Sequence, residues 1–191
     1  MRRSKWCGSV VVLAALAVGC DPSGARVTTG RPAEPSTPQT EVAAPEIEID
    51  VDEPTNEQPF AAAAAVTPAE VRPGETVTFV IRAKTAADWH IYTVDQPSGV
   101  AIQTTLDMNL PEGVTDEGEW TIPVAEPYKA DEPTFVYHGD FLFHRKLRIA
   151  DDAAPGPLEV KCDFGYQACT SEMCLPPTTT ELTAKLEIIA D

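Results

Sequence analysis

Leu158-Glu159-Val160-Lys161-Cys162-Asp163-Phe164-Gly165-Tyr166-Gln167-Ala168-Cys169, continuing through Thr170-Ser171-Glu172-Met173-Cys174-Leu175-Pro176-Pro177, is the run on which the reading of this 191-residue chain turns. Successive strand residues point to opposite faces, so Leu158, Val160, Cys162, Phe164 and Tyr166 share one face at a period of two, and Cys169 falls on the other. The paired prolines donate no backbone hydrogen bonds and interrupt regular pairing. A disulfide needs Cα atoms roughly 4.4–6.8 Å apart, whereas five extended steps span about 17 Å, so a Cys169–Cys174 bond requires the chain to fold back. A tight hairpin does this, and it sets the two cysteines across the neck of a four-residue loop, near a strand end and close to solvent.

Three uses of such a pair remain open from the residues alone. A structural staple gains most from closing a long loop, and one this short is worth only about 2 kcal/mol in the chain-entropy model. A redox pair needs no long loop, only two thiols that approach easily and a sulfur that a partner's thiolate can reach. Half of a metal site is the third, but only His90, His138 and His144 remain as partners, and none forms a close pair at zinc spacing, so no metal and no cofactor is expected. Cys162, on the apolar face, is expected to be a buried thiol packed as a small hydrophobe; the alternative is a resolving or regulatory role.

Working outward, the chain from Val66 onward reads as short β-strands punctuated by turns. Arg72-Pro73-Gly74-Glu75 is a turn, and Thr76 to Ala83 follows with Val77, Phe79 and Ile81 on one face. Trp89 to Val94 is the next strand and Pro97-Ser98-Gly99 the next turn. Val100 to Met108 and Trp120 to Val124 carry weaker strand patterns. Phe135 to Ile149 reads as a hairpin about His138-Gly139-Asp140, and Leu158 to Cys169 and Leu182 to Ile189 complete the set. About seven strands without an amphipathic helix predict an all-β antiparallel β-sandwich over residues 61–191, enough chain for one core. Without further information Trp89 and Tyr92 read as core aromatics and His90 as a strand residue pointing outward.

Tyr166-Gln167-Ala168-Cys169, four residues, then Cys174-Leu175-Pro176-Pro177 resembles the cysteine motif of the amino-terminal periplasmic domain of the thiol:disulfide interchange reductase DsbD and its stand-alone relatives. Trp89-His90-Ile91-Tyr92 and Leu110-Pro111-Glu112-Gly113 resemble that family in the same order. The resemblance implies an immunoglobulin-like sandwich and a redox role for Cys169 and Cys174, with Cys174 forming mixed disulfides and Cys169 resolving them. It implies thioredoxin-like proteins and a separate membrane thiol reductase as partners, because this chain lacks the multi-helix membrane domain and thioredoxin-like domain of the full-length reductase. It also implies an aromatic cap loop over the sulfurs, for which Glu126 to Gly139 is the counterpart, with Phe135 and Tyr137 as cap candidates and His90, Tyr92 and Tyr166 lining the site. In the best-known members the cysteines lie slightly farther apart. Unlike a thioredoxin site, this one has no helix start and no lysine or arginine between the sulfurs, and Glu172 lies inside the loop. A carboxylate there disfavours a thiolate, so an unactivated dithiol is expected.

The opening of the chain sets its compartment. Arg2, Arg3 and Lys5 precede an apolar run, Val10 to Val18, shorter than the roughly 20 residues of a spanning helix, which reads as an export signal over residues 1–19. Ala17-Val18-Gly19-Cys20 resembles a bacterial lipoprotein processing site, which implies lipidation of Cys20 and a membrane anchor on the periplasmic side; the alternative is soluble secretion. Residues 21–60 hold seven of the 18 prolines, nine acidic residues and two basic ones. Residues 20–60 are therefore expected to form a disordered tether, with a reach of roughly 35 Å. Glu46 to Asp52 alternates like a strand and is assigned to the tether, the alternative being that it pairs with an edge of the domain, and Ala61 to Ala65 is taken as low complexity or the start of a helical turn. The net charge is −16, and −19 without the three basic residues of the export signal. Such acidity argues against nucleic acid as a partner and against a domain lying flat on anionic lipid.

Overall fold

The computed structural model describes residues 47–96, 101–129 and 132–190. The export signal, Cys20, most of the tether and the turn at Pro97-Ser98-Gly99 lie outside them. Twelve strands follow in order among the described residues: β1 Phe60–Thr67, β2 Glu70–Val71, β3 Thr76–Thr85, β4 His90–Tyr92, β5 Thr105–Asn109, β6 Val114–Asp116, β7 Glu126–Lys129, β8 Glu132–Tyr137, β9 Asp140–Ile149, β10 Gly156–Tyr166, β11 Ala168–Cys169 and β12 Thr178–Ile188. They form three sheets, in the orders β1-β3-β9-β6, β2-β12-β10-β5 and β11-β4-β8-β7. All pairings are antiparallel except that of β2 with β12. The fold is all-β and immunoglobulin-like.

The first two sheets carry the core, and period-two alternation is what builds it. Val77, Phe79, Ile81 and Ala83 of β3 and Phe141, Phe143, Leu147 and Ile149 of β9 face Val160, Cys162 and Phe164 of β10 and Leu182, Ala184, Leu186 and Ile188 of β12, all buried. Phe143 meets Phe164 across the interface with ring centroids 5.7 Å apart. Each of the valine, leucine, isoleucine and phenylalanine side chains among them contributes roughly 1.5–3 kcal/mol when fully buried. Cys162 is fully buried in this core as a free thiol, and burial, with Asp107 and Asp163 nearby, pushes its pKa up to about 12. Gly165 is required where β10 passes β5: a Cβ there would lie 2.5 Å from Thr105 Oγ1.

Four elements depart from expectation. Trp120 to Val124, read as a weak strand, keeps only a single bridge, Thr121 to His144. Ala61 to Ala65 belongs to β1, paired with β3 from Phe60 to Thr67. Ala62 and Ala64 pack on the core, while Ala61, Ala63 and Ala65 pack on the outer face under Ile47, Ile49 and Val51. Alanine is a poor strand former by itself, but a strand buried on both faces needs small side chains where a second layer lies close. The segment assigned to the tether thus begins packing at Ile47. Ile49 and Val51 are buried against Val80, and their carbonyls accept hydrogen bonds from Arg82 Nη1 at 3.0 Å and Lys84 Nζ at 3.5 Å. Finally, the turn at His138-Gly139 does not close a hairpin, because β8 pairs with β4 and β7 whereas β9 pairs with β3 and β6. Thr85, at the end of β3, donates its N–H to Gly139 O at 2.9 Å and accepts the Gly139 N–H on Oγ1 at 2.8 Å, so the chain changes sheet there.

Candidate redox site

The third sheet holds the cysteines. Ala168 and Cys169 form β11, which pairs with β4 so that Ala168 faces Ile91 and Cys169 faces His90. Beyond Cys169 the chain turns through Thr170 to Met173 and returns at Cys174. The Thr170 N–H donates to Met173 O at 2.7 Å and the Leu175 N–H to Ala168 O at 2.9 Å, one bond on each side of the cysteine pair. Thr170 Oγ1 accepts from the Glu172 and Met173 N–H groups at 3.2 and 3.1 Å, and Gln167 Nε2 donates to Leu175 O at 2.9 Å. Serine and threonine organise such turns by mimicking a backbone turn. Cys169 and Cys174 face each other with Cα atoms 4.0 Å apart and are joined by a disulfide. Their surroundings differ sharply: Cys169 is 0% exposed, whereas Cys174 lies on the surface next to exposed Met173.

The other side of the site is aromatic. His90, Tyr92 and Tyr128 form a cluster, with the His90 ring 4.3 Å from Tyr128 and 5.3 Å from Tyr92. Tyr128 Oη donates to Thr170 O at 3.3 Å, so β7 reaches across to the cysteine turn. Glu126 at the start of β7 pairs with His138 at 3.0 Å.

The aromatic of the 126–139 segment that reaches the turn is Tyr128, which sequence reasoning passed over in favour of Phe135 and Tyr137. Tyr137 is 2% exposed and packs on Phe141 and Phe143 in the core, where burial pushes its pKa up to about 12. Phe135 is 43% exposed and holds Gln96 Oε1 through its backbone N–H at 3.1 Å. His90, expected to point outward, is 5% exposed beneath Tyr128. Tyr92 is half-buried in the cluster, whereas Trp89 does lie in the core. Tyr166 lies on the far side of the hairpin: its ring is 4.0 Å from Phe60, and burial raises its pKa against the opposing hydrogen bond to Thr180. Together with Phe60, Ala168, Leu175 and Pro176 it borders a cavity of about 270 Å³. Among the described residues no group of three or more histidine, cysteine, aspartate or glutamate side chains is placed to hold a metal ion.

A disulfide with one buried and one exposed cysteine, set in a turn and flanked by an aromatic cluster, is the arrangement in which thiol exchange has an address. Residues 57–186 match the protein family described as "Thiol:disulfide interchange protein DsbD, N-terminal". The chain belongs to this family. It therefore carries a thiol:disulfide interchange domain of the DsbD amino-terminal type. Among solved structures it is similar to the N-terminal periplasmic domain of ScsB from Proteus mirabilis, at 12% identity and a TM-score of 0.43, covering 68% of this chain and 45% of that one. It is similar also to the Neisseria meningitidis DsbD N-terminal domain in the reduced form, at 17% identity and a TM-score of 0.41, covering 70% of this chain and 93% of that one. The chain spans less than half the length of the ScsB chain. No curated protein matches it in sequence.

Proposed function

We propose that this protein is a membrane-tethered periplasmic carrier that shuttles electrons through Cys169 and Cys174 between a separate membrane thiol reductase and thioredoxin-like acceptors. The observation that carries this reading is the unequal exposure of the two cysteines. A thiolate attacks the sulfur it can reach, so an incoming donor meets Cys174. Its attack forms a bond to the Cys174 sulfur, breaks the Cys169–Cys174 bond and expels Cys169 as a thiolate, which takes up a proton. The donor's second thiol, after losing its proton, attacks the donor sulfur of the mixed disulfide and expels Cys174, which is protonated in turn. The donor is oxidised to a disulfide, and this chain is reduced by two electrons and two protons. The reverse sequence passes the electrons on.

Tyr128 acts in this reading as the cap: its bond to Thr170 O and its ring over His90 shield the cysteine turn from adventitious thiols. The anchor rests on Ala17-Val18-Gly19-Cys20, whose small residues before a cysteine support lipidation of Cys20. The reduction potential tests the carrier role directly. An exchanging pair equilibrates above about −300 mV, whereas a structural bond lies below that value. With Cys169→Ala, Cys174 should accumulate as a mixed disulfide with a thioredoxin-like partner in cells, and with Cys174→Ala no such adduct should form. Cys20→Ser should release the protein from the membrane fraction; its retention would remove the lipid from the account.

A further inference from the structure

Reduction leaves a charge in an unfavourable place. When Cys174 is attacked, the departing sulfur is that of Cys169, which has no contact with water. A thiolate is disfavoured by burial, and exchange slows when the leaving thiol is a poor anion. The proton that Cys169 must acquire therefore needs a carrier from the solvent. His90 is opposite Cys169 on the neighbouring strand, and directly paired residues of antiparallel strands project from the same face with Cβ atoms about 4.5–5.5 Å apart. His90 also lines a cavity of about 350 Å³ together with Asp88, Trp89, Tyr128 and His138. It thus neighbours both a cysteine closed to water and a cavity bordered by exposed Asp88 and His138.

We infer that His90 is the proton donor to Cys169 during thiol exchange, recharged from water in the adjoining cavity. This inference rests on the carrier reading above and adds a residue to its chemistry. As the Cys169–Cys174 bond breaks, imidazolium His90 transfers its N–H proton to the Cys169 sulfur and becomes neutral imidazole, which takes a proton from cavity water. On reoxidation the same imidazole accepts the proton that Cys169 loses. Among the described residues, Asp88 and His138 line the same cavity as His90, Tyr92 and Tyr128 pack against its ring, and Glu126 pairs with His138. Histidine is the side chain that ordinarily changes charge between pH 5 and 8, and among these groups His90 and His138 are the two of that type. His138 is held by Glu126 at 3.0 Å and is exposed, which makes it the natural control.

The experiment is reduction of the full chain's disulfide by dithiothreitol between pH 6 and 9, with each rate divided by the concentration of attacking thiolate. A general acid typically contributes at least about a hundred-fold, and a partial contribution of about ten-fold is enough to resolve here. The normalised rate of the unaltered protein should fall about ten-fold as pH rises. His90→Gln should abolish that fall and be slower at pH 6 with little change at pH 9. His90→Phe, which keeps an aromatic ring under Tyr128, should behave like His90→Gln, and His138→Gln should retain the full fall. A His90→Gln profile that parallels that of the unaltered protein, or that is displaced equally at every pH, overturns the inference and leaves a packing role. A disulfide that dithiothreitol cannot reduce at any pH sinks the carrier reading itself, and the two failures are thereby told apart.

Discussion

β10 and β12 pair over eleven residues, from Gly156 opposite Ile188 to Tyr166 opposite Thr178, whereas β11 and β4 pair over two. The long ladder alternates buried and solvent-facing side chains and takes its stability from Val160, Cys162 and Phe164 packed against the opposite sheet. The short one gains little from its own strand length: Ala168 and Ile91 pack into the core, but the turn beyond Cys169 is exposed and held by side-chain bonds, by Tyr128 on Thr170 O and by Gln167 on Leu175 O. Regions with few apolar contacts open at lower free energy than the global transition. The difference teaches that the frame is built to stay shut and the site to be approached.

The sharpest way to break this comparison is to damage the frame. Phe164→Ala should cost about 3–5 kcal/mol, read from urea unfolding, because a fully buried ring leaves a cavity between the two sheets. A loss under about 1 kcal/mol would mean that stability lies elsewhere. Ile49→Ala should cost about 2 kcal/mol by the same measurement, testing whether the segment beginning at Ile47 belongs to the frame. A neutral result would return that segment to the tether.

The frame's thiol supplies a pH test. Burial holds the Cys162 pKa at about 12 when folded, against 9.0 for the ordinary thiol. The group stays protonated in the folded chain while the unfolded chain ionises, so its stabilising contribution is complete below pH 9 and is lost as pH rises toward 12. By pH 10 the loss should be on the order of 1 kcal/mol, and Cys162→Ala should remove that part of the slope. Labelling of Cys162 at neutral pH should require unfolding. The smallest effect sharpens the other side of the comparison. Tyr128→Phe removes one hydrogen bond, worth about 1 kcal/mol, and should quicken dithiothreitol reduction roughly five-fold while lowering the urea unfolding free energy by no more than that ~1 kcal/mol. A loss of about 3 kcal/mol or more, the size of a core deletion, would make Tyr128 a frame residue.

The long strands were legible because their alternation is strict. Val77, Phe79 and Ile81, or Val160, Cys162 and Phe164, announce a buried face without any knowledge of partners. Ala61 to Ala65 was not legible, since five identical side chains carry no period, and only the pairing with β3 and the cover of Ile49 and Val51 make them a strand. The turn at His138-Gly139 was visible but its consequence was not: whether flanking strands pair with each other depends on Thr85, more than fifty residues earlier. The cysteine turn was legible from its spacing and its prolines. Tyr128 escaped because it sits between Pro127 and Lys129 without a strand-like pattern. The signal that would have found it is its place as the first aromatic of the segment already assigned to the cap.

Two backbone hydrogen bonds bracket the cysteines, Thr170 to Met173 within the turn and Leu175 to Ala168 outside it. Neither depends on the sulfurs being joined, so the hairpin keeps its course when the covalent link is severed. In the carrier reading, the two oxidation states are then expected to share one hairpin conformation. The direction of traffic is then left to the relative abundance and driving force of whatever proteins dock there.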